Sequence, residues 1–305
     1  MTLSSPVRSV SETDEPLTVA DALVDSLVGW NVEAIFGVSG ANIEHLHDAV
    51  YRRGIGRLKS VAARSESGAA FMADAYARVH GRLGVCCSTS GGGMMNLAVG
   101  VAESYQEGIP VLAIVGQVAR AHEGTGGFQD SSGRGRTVVA AQMWRAISKE
   151  VREVRSGETF WEDLFAAAHA ALSGRPGPAV LLVPRDVWDL PVPARPAAWP
   201  QSLSEVAPAV TPSSQALHDL EAAIRGSKRP VMIAGAGTRQ DGAEDAVVAL
   251  SRRAQIPVAT TLSDVGAYPN SDELYLGVIG TAGHPSTHRY INEEADLILV
   301  VGSRM

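Results

Sequence analysis

The residue best placed to do chemistry is Glu66. It follows an apolar run, Val61-Ala62-Ala63, and a polar step, Arg64-Ser65, and it opens the small-residue stretch Gly68-Ala69-Ala70-Phe71-Met72-Ala73. The pattern predicts a strand ending near residue 63 and a helix over 66–80, with Ser65 as its N-cap. A carboxylate in a first turn is favoured by the helix dipole. Gly68, Ala69 and Ala70 add almost no bulk, so another backbone or a flat ligand ring can approach closely. In a doubly wound sheet, the place just past a strand's carboxyl end is where ligands bind. On this stretch alone two readings stand: a solvated carboxylate at a helix start, or a carboxyl group set for proton transfer.

Glu66 has company at suggestive spacing. Upstream lies Phe36-Gly37-Val38-Ser39-Gly40, and downstream lies Gly84-Val85-Cys86-Cys87-Ser88-Thr89-Ser90-Gly91-Gly92-Gly93-Met94-Met95-Asn96. Then come Pro110-Val111-Leu112-Ala113-Ile114-Val115-Gly116-Gln117-Val118, Gly126-Gly127-Phe128-Gln129-Asp130 and Gly174-Arg175-Pro176-Gly177-Pro178. In order and spacing these segments resemble the amino-terminal, pyrimidine-binding domain of thiamine-diphosphate enzymes of the acetolactate synthase group, over roughly residues 17–190.

The resemblance implies a role for each segment. Glu66 becomes the carboxyl that hydrogen-bonds the cofactor's amino-pyrimidine and drives it to the imino tautomer, most effectively in dry surroundings. Gln129, after Phe128, matches a Phe-Gln pair that reaches the active centre from an adjoining subunit surface; a solvated loop glutamine is the alternative. Ser90, Gly91 and Gly92, with Asn96 close by, form either a loop wall over the pyrimidine or a plain strand-to-helix turn. Gly37 and Gly40 match a glycine turn that lets backbone approach the thiazolium side. The chain departs from the group's pattern in three places. Ser65 stands where many relatives carry His, Gly92 where a Pro commonly stands between two glycines, and Ser39 and Ala41 where Pro and Gly are usual.

The implied cofactor is thiamine diphosphate, and the implied reaction is decarboxylation of a 2-oxo acid followed by transfer to an acceptor. In the group, Mg2+ anchors the diphosphate through a Gly-Asp-Gly segment with a downstream Asn pair. No Gly-Asp-Gly occurs here; Gln240-Asp241-Gly242 is the nearest string and follows the wrong element. The expectation is therefore a Mg2+ site in a region absent from this chain, supplied by a homo-oligomer or by a second subunit carrying the diphosphate-binding domain. No metal site is expected on the chain itself. A non-catalytic assembly or regulatory partner that keeps the fold is the alternative. The turn Gly235-Ala236-Gly237 admits FAD or another nucleotide phosphate as a further possibility.

The remaining sequence must position these groups. Helical and strand patterns alternate: helix 17–30, strand 33–38, helix 42–52, strand 58–63, helix 66–80, strand 83–88, helix 94–106 and strand 110–116. Helix 158–173 and strand 179–183 close the first domain. A second series follows, with strand 230–234, a helix near 242–254, strand 257–261, helix 284–292 and strand 296–301. Such alternation predicts an α/β fold: two doubly wound, parallel-sheet (Rossmann-like) domains. Residues 189–212 hold six of the 16 prolines and read as a linker. The expected organisation is a flexible tail at 1–16, a pyrimidine-binding domain at 17–190, a linker at 191–212 and a partial central domain at 213–305. Residues 122–136 are too glycine-rich for a regular element and read as a functional loop.

Bulk composition narrows the field. At 305 residues, 45% hydrophobic and 19% charged, the chain reads as globular with two domains. A formal net charge of −7, with no Lys/Arg cluster, argues against nucleic acid. Its longest apolar runs are strand-length, so no membrane partner is expected. Cys86 and Cys87 are adjacent on a strand and point to opposite faces, which predicts core packing in a reducing, cytoplasmic setting rather than a disulfide.

Overall fold

The computed structural model describes residues 16–305. All of the tail expected at 1–16 except Pro16 lies outside the described residues. The chain divides into two compact units, the first ending at Pro208 and the second comprising Ala209–Met305 together with Arg78–Gly81.

The first unit is built on six parallel strands: β1 Ala34–Gly37, β2 Lys59–Ala62, β3 Gly84–Ser88, β4 Val111–Gln117, β5 Glu150–Glu153 and β6 Ala179–Pro184. Their helices are α1 Val19–Gly29, α2 Glu44–Arg53, α3 Glu66–His80, α4 Gly92–Glu107, α5 Ala140–Arg145, α6 Phe160–Leu172 and the short α7 Leu203–Val206. The strand order is β2-β1-β3-β4-β6-β5. One face carries α1, α2 and α6 over a core that includes Leu23, Leu46 and Leu164. The other carries α3, α4 and α5 over Ala73, Leu97 and Trp144. Burial on both faces explains why β3, β4 and β6 are apolar but for Ser88 and Gln117 at their ends.

This order reverses twice. The chain leaves β1 for α2 on one face and β3 for α4 on the other, and β4 and β6 part in the same way. Crevices therefore open outside the carboxyl ends of β1/β3 and of β4/β6. Cys86 packs into one core and Cys87 into the other, as their adjacency dictates. Burial raises both thiols, that of Cys87 to about 12, so neither is a thiolate at neutral pH.

The expected linker is in large part structure. Trp30 Nε1 donates to the Pro200 carbonyl at 3.0 Å, and Trp161 Nε1 donates to that of Pro193 at 3.0 Å. Trp199 is buried, stacks on Trp30 and meets the Trp161 ring edge-on. Proline content alone suggested a spacer; Trp199 within it, with Trp30 and Trp161 of the first unit, fastens it to that unit.

The second unit contains β7 Pro230–Ala234, β8 Val258–Thr261, β9 Tyr275–Ile279 and β10 Leu297–Val301, parallel and in the order β10-β7-β8-β9. Its helices are α8 Ser214–Gly226, α9 Ala236–Gln240, α10 Glu244–Ala254 and α11 Pro285–Arg289. Small cores on the two sheet faces centre on Met232 and Val258, and on Ile233 and Ala259. No helix among the described residues is long and apolar enough to cross a membrane.

Candidate active site

Glu66 is the first residue of α3, as its sequence pattern predicts. Ser65 Oγ accepts from the Gly68 amide at 3.2 Å and its carbonyl from the Ala69 amide at 3.0 Å, so two amides of the first turn are satisfied. The Glu66 carboxyl is half-buried at the carboxyl end of the sheet. Its Oε2 accepts from Asn96 Nδ2 at 3.2 Å, while its Oε1 accepts no hydrogen bond from the described residues.

That meeting of α3 and α4 is fixed from below by a ladder at four-residue spacing. One turn after Glu66 and Asn96, Ala70 faces Gly100, where a Cβ would come within 2.6 Å of the Ala70 Cβ. One turn further, buried Ser104 Oγ donates to Asp74 Oδ2 at 2.8 Å. Residues four apart share a helix face, so a small-residue contact and a buried polar bond together set how closely Asn96 stands to Glu66.

Glycines let the remaining parts converge. At Gly93 a Cβ would stand 3.0 Å from Glu66 Oε1 and 3.0 Å from Thr89 Cγ2. At Gly40 it would stand 2.6 Å from Thr89 Cβ, so the turn after β1 rests directly on the end of β3. Gly91 has a left-handed φ of 62° and abuts Gln129, whose Cβ would lie 2.7 Å from an added methyl. Gly92, by contrast, opens onto free space. Ser90 is fully buried and its Oγ accepts from Asn42 Nδ2 at 2.7 Å. The buried hydroxyls of Ser88 and Thr89 have no hydrogen-bond partner, an unusual cost at the end of a strand.

The loop expected at 122–136 is irregular but held. Its Asp130 carboxylate accepts from the Gly124 amide at 2.7 Å and the Ser132 amide at 2.9 Å. Partial burial works against that charge, yet the amides of Ser132 and Gly124 keep the carboxyl below the usual carboxylate range. Ser131 Oγ donates to the buried Gln117 Oε1 at 2.7 Å, which ties the loop to the end of β4. Between these anchors Gln129 adopts a left-handed φ of 62° and lies half-buried against Gly91, while Phe128 is exposed.

Glu66, Gly40, Ser90, Gly91, Asn96 and Gln129 are thus gathered outside the ends of β1, β2 and β3. Sequence reading missed Asn42, Thr89 and Gln117. Asn42 carried a signal, a polar residue within two positions of Gly40; its carbonyl accepts from Trp188 Nε1 at 2.9 Å, across 146 residues. Outside this cluster, His45 Nδ1 meets Asp189 at 3.0 Å and His47 Nδ1 meets Ser60 Oγ at 2.9 Å, both packing roles. In the second unit, Gly235 and Gly237 admit the Gly302 backbone: the Gly237 amide donates to the Gly302 carbonyl at 2.8 Å. Among the described residues no group of three or more His, Cys, Asp or Glu is arranged to hold a metal ion.

Known proteins resemble this chain over most of its length. Residues 17–134 match the family described as "Thiamine pyrophosphate enzyme, N-terminal TPP binding domain", and residues 217–305 match "Thiamine pyrophosphate enzyme, central domain". The chain is 36% identical over 294 residues to an acetolactate synthase of Arthrospira platensis, covering 94% of this chain and 49% of the relative. It is 32% identical over 299 residues to the acetolactate synthase large subunit of Corynebacterium glutamicum, covering 97% of this chain and 46% of the relative. The fold superimposes with a TM-score of 0.79 on a thiamine diphosphate-dependent 4-hydroxybenzoylformate decarboxylase of Rhodococcus jostii, at 23% identity, covering 94% of this chain and 52% of that one. The chain spans about half the length of the curated relatives it matches. By its amino-terminal and central domains together, it belongs to the thiamine pyrophosphate enzyme family.

Proposed function

We propose that this chain supplies the pyrimidine-binding side of an acetolactate synthase-like enzyme, which decarboxylates a 2-oxo acid such as pyruvate and transfers the remaining fragment to an acceptor. The observation that carries this is the Glu66 carboxyl: Asn96 holds one oxygen, and the other is free beside the Cβ-less Gly93. The residues present fit thiamine diphosphate. Gly40, Gly91 and Gly93 let Thr89, Gln129 and Glu66 draw together, Gly92 beside them opens onto free space, and the unpartnered hydroxyls of Ser88 and Thr89 lie at the same strand end. When bound, the cofactor supplies a carbon nucleophile and an electron sink for decarboxylation.

In this reading Glu66 Oε1 faces a ring nitrogen and shares a proton with it, and Asn96 keeps the carboxyl from swinging away. Gln129, seated on Gly91 by the Asp130 and Ser131 anchors, reaches toward the reacting side. Gly40 and the buried Asn42–Ser90 pair shape the floor. The diphosphate and its Mg2+ would be held by another part of the assembled enzyme that carries the Gly-Asp-Gly segment. FAD enters only through the turn at Gly235, whose glycines already serve the Gly302 backbone, so the proposal does not call on it.

The test is calorimetry of the purified chain with Mg2+ and thiamine diphosphate, alone and mixed with a chain carrying the Gly-Asp-Gly half. Metal and phosphate contacts contribute much of such a cofactor's affinity. The chain alone is therefore expected to bind weakly, and the mixture to gain binding and pyruvate turnover together. Micromolar binding and turnover by the chain alone would overturn the division of labour. Failure of the mixture to gain either would overturn the function.

A further inference from the structure

The cluster around Glu66 uses only the first of the two reversals in the sheet. The second lies between β4 and β6, and a cavity of about 150 Å³ stands there. It is lined by Gln117 at the end of β4, Leu182 and Pro184 of β6, and Glu153 at the end of β5. The segment that runs into α5 closes it, with Gln142 and Arg145 on the rim.

The polar groups of this cavity fall into two sets. Glu123 and Arg155 are spent on each other, at 2.5 and 3.0 Å. Arg145, Glu153 and Gln142 are exposed and make no hydrogen bond or ion pair with the described residues, though the Glu153 charge lies near enough to Arg155 to favour that guanidinium. Strand alternation puts Glu153 on the α5 face. Val151, two residues earlier, packs with the α5 core, whereas Arg152 pairs with Asp163 of α6 across the sheet. A cation and an anion therefore border one cavity on one face without meeting. Together they close the second ligand crevice that the topology creates.

We propose that this cavity is a second ligand site and that it takes a small zwitterion of the α-amino acid class. The carboxylate is received by Arg145 and Gln142 and the ammonium group by Glu153, with a short aliphatic group against Leu182 and Pro184. A lone anion would face Glu153 and a lone cation would face Arg145; a zwitterion answers both charges. The volume equals about five water molecules, which suits a molecule of alanine size. The cavity borders the Gln117–Ser131 anchor of the Gln129 loop, but Arg145, Gln142 and Glu153 take no part in the Glu66 cluster, and the inference does not depend on the function proposed for it.

The experiment is saturation-transfer NMR with calorimetry on the full chain, using L-alanine as probe and propionate and ethylamine as single-charge controls. Alanine is expected to bind about tenfold or more tightly than either control. Arg145→Gln and Glu153→Gln should each weaken alanine binding about tenfold, the scale of one charge-assisted contact. Both side chains are exposed, so tryptophan-fluorescence melting should be unchanged in the variants. The proposal is overturned if alanine fails to bind, if it binds no more tightly than propionate or ethylamine, or if either variant keeps full affinity. The comparison among the three probes on the unaltered chain decides the matter even if a variant misfolds.

Discussion

The two sheets of this chain end in similar glycine turns that do opposite things. At the end of β7, Gly235-Ala236-Gly237 is filled by protein. A Cβ on Gly237 would stand 2.8 Å from the Gly302 Cα, and one on Gly302 would stand 2.2 Å from the Thr238 nitrogen. Its nearby charges are also satisfied, with Arg239 donating to Asp264 at 2.8, 3.0 and 3.2 Å. At the ends of β1 and β3, Gly93 instead faces the tips of Glu66 and Thr89, one Glu66 oxygen is unpaired, and two buried hydroxyls lack partners. A glycine that admits backbone is finished architecture. Gly93 sits among polar atoms that the fold leaves unspent, which is where the proposed site and the second unit's turn differ.

The largest expected effect tests the unpaired side. Glu66→Gln keeps the shape and removes the ionisable group, so turnover of the assembled enzyme should fall roughly 10²–10⁴-fold. Its counterpart, Asp264→Asn, should leave turnover alone and cost the second unit only ~1 kcal/mol, because Arg239 is half exposed. Proton exchange at the thiazolium carbon is the readout for the first and thermal melting for the second. Near-normal exchange in Glu66→Gln would erase the distinction between the two turns.

Glycine replacements sharpen it. Gly93→Val would push into Glu66 Oε1 and Thr89 Cγ2, both side-chain atoms, and should lower cofactor affinity about tenfold or more with little change in melting. Gly237→Val would push into the Gly302 backbone and should destabilise the second unit by about 1–3 kcal/mol without touching the cofactor. The reverse assignment of losses would break the argument. All five tryptophans lie in the first unit, so their fluorescence follows that unit by itself.

A smaller effect is expected from Asn96→Ala. It removes a 3.2 Å bond from an exposed amide to Glu66 and leaves the carboxyl itself in place. Turnover should drop roughly 2- to 10-fold, the range of one ordinary hydrogen bond, with KM for the 2-oxo acid little changed. A loss as large as that of Glu66→Gln would mean that Asn96 touches the reacting groups directly.

The alternation of elements was legible because the strands that bury both faces are apolar except at their ends and the helices carry a periodic apolar stripe. Glu66, its Ser65 cap and the glycines were legible for local reasons. What was not legible depended on distant partners. β5 reads Glu150-Val151-Arg152-Glu153, too charged to look like a strand; it survives at the sheet edge because Arg152 bonds Asp163 of α6. β9 carries Gly277 at its centre beside a register shift, which hides its period. α8 begins at a regular Ser213 cap, yet none of its residues is buried, so its pattern had no core to declare. In the site, Asn42 went unread because its partner Trp188 is 146 residues away, and Thr89 because its hydroxyl has no partner to betray it.

The smallest effect separates the units by pH. Asp296 accepts from Ser227 Oγ, and from the Lys228 and Arg229 amides at 2.9 Å each, so it ties the start of β10 to the start of β7. The Ser227 hydroxyl, then the Lys228 and Arg229 amides, favour its ionised form and hold its carboxyl down to about 2. The ordinary value is 3.8, so the folded state prefers the charge more than the unfolded chain does. This contribution is complete above about pH 4 and is lost as pH falls from about 4 to 2. The first unit has acid-sensitive carboxylates of its own, at Asp130 and Asp186, so acid weakening alone identifies nothing. The informative quantity is the difference between the native chain and Asp296→Asn, read by hydrogen exchange at the amides of β7 and β10. The variant should lose the acid-dependent step in that exchange, while tryptophan fluorescence follows the same pH curve in both proteins. An unchanged step in the variant would show that the join between β7 and β10 does not rest on this carboxylate.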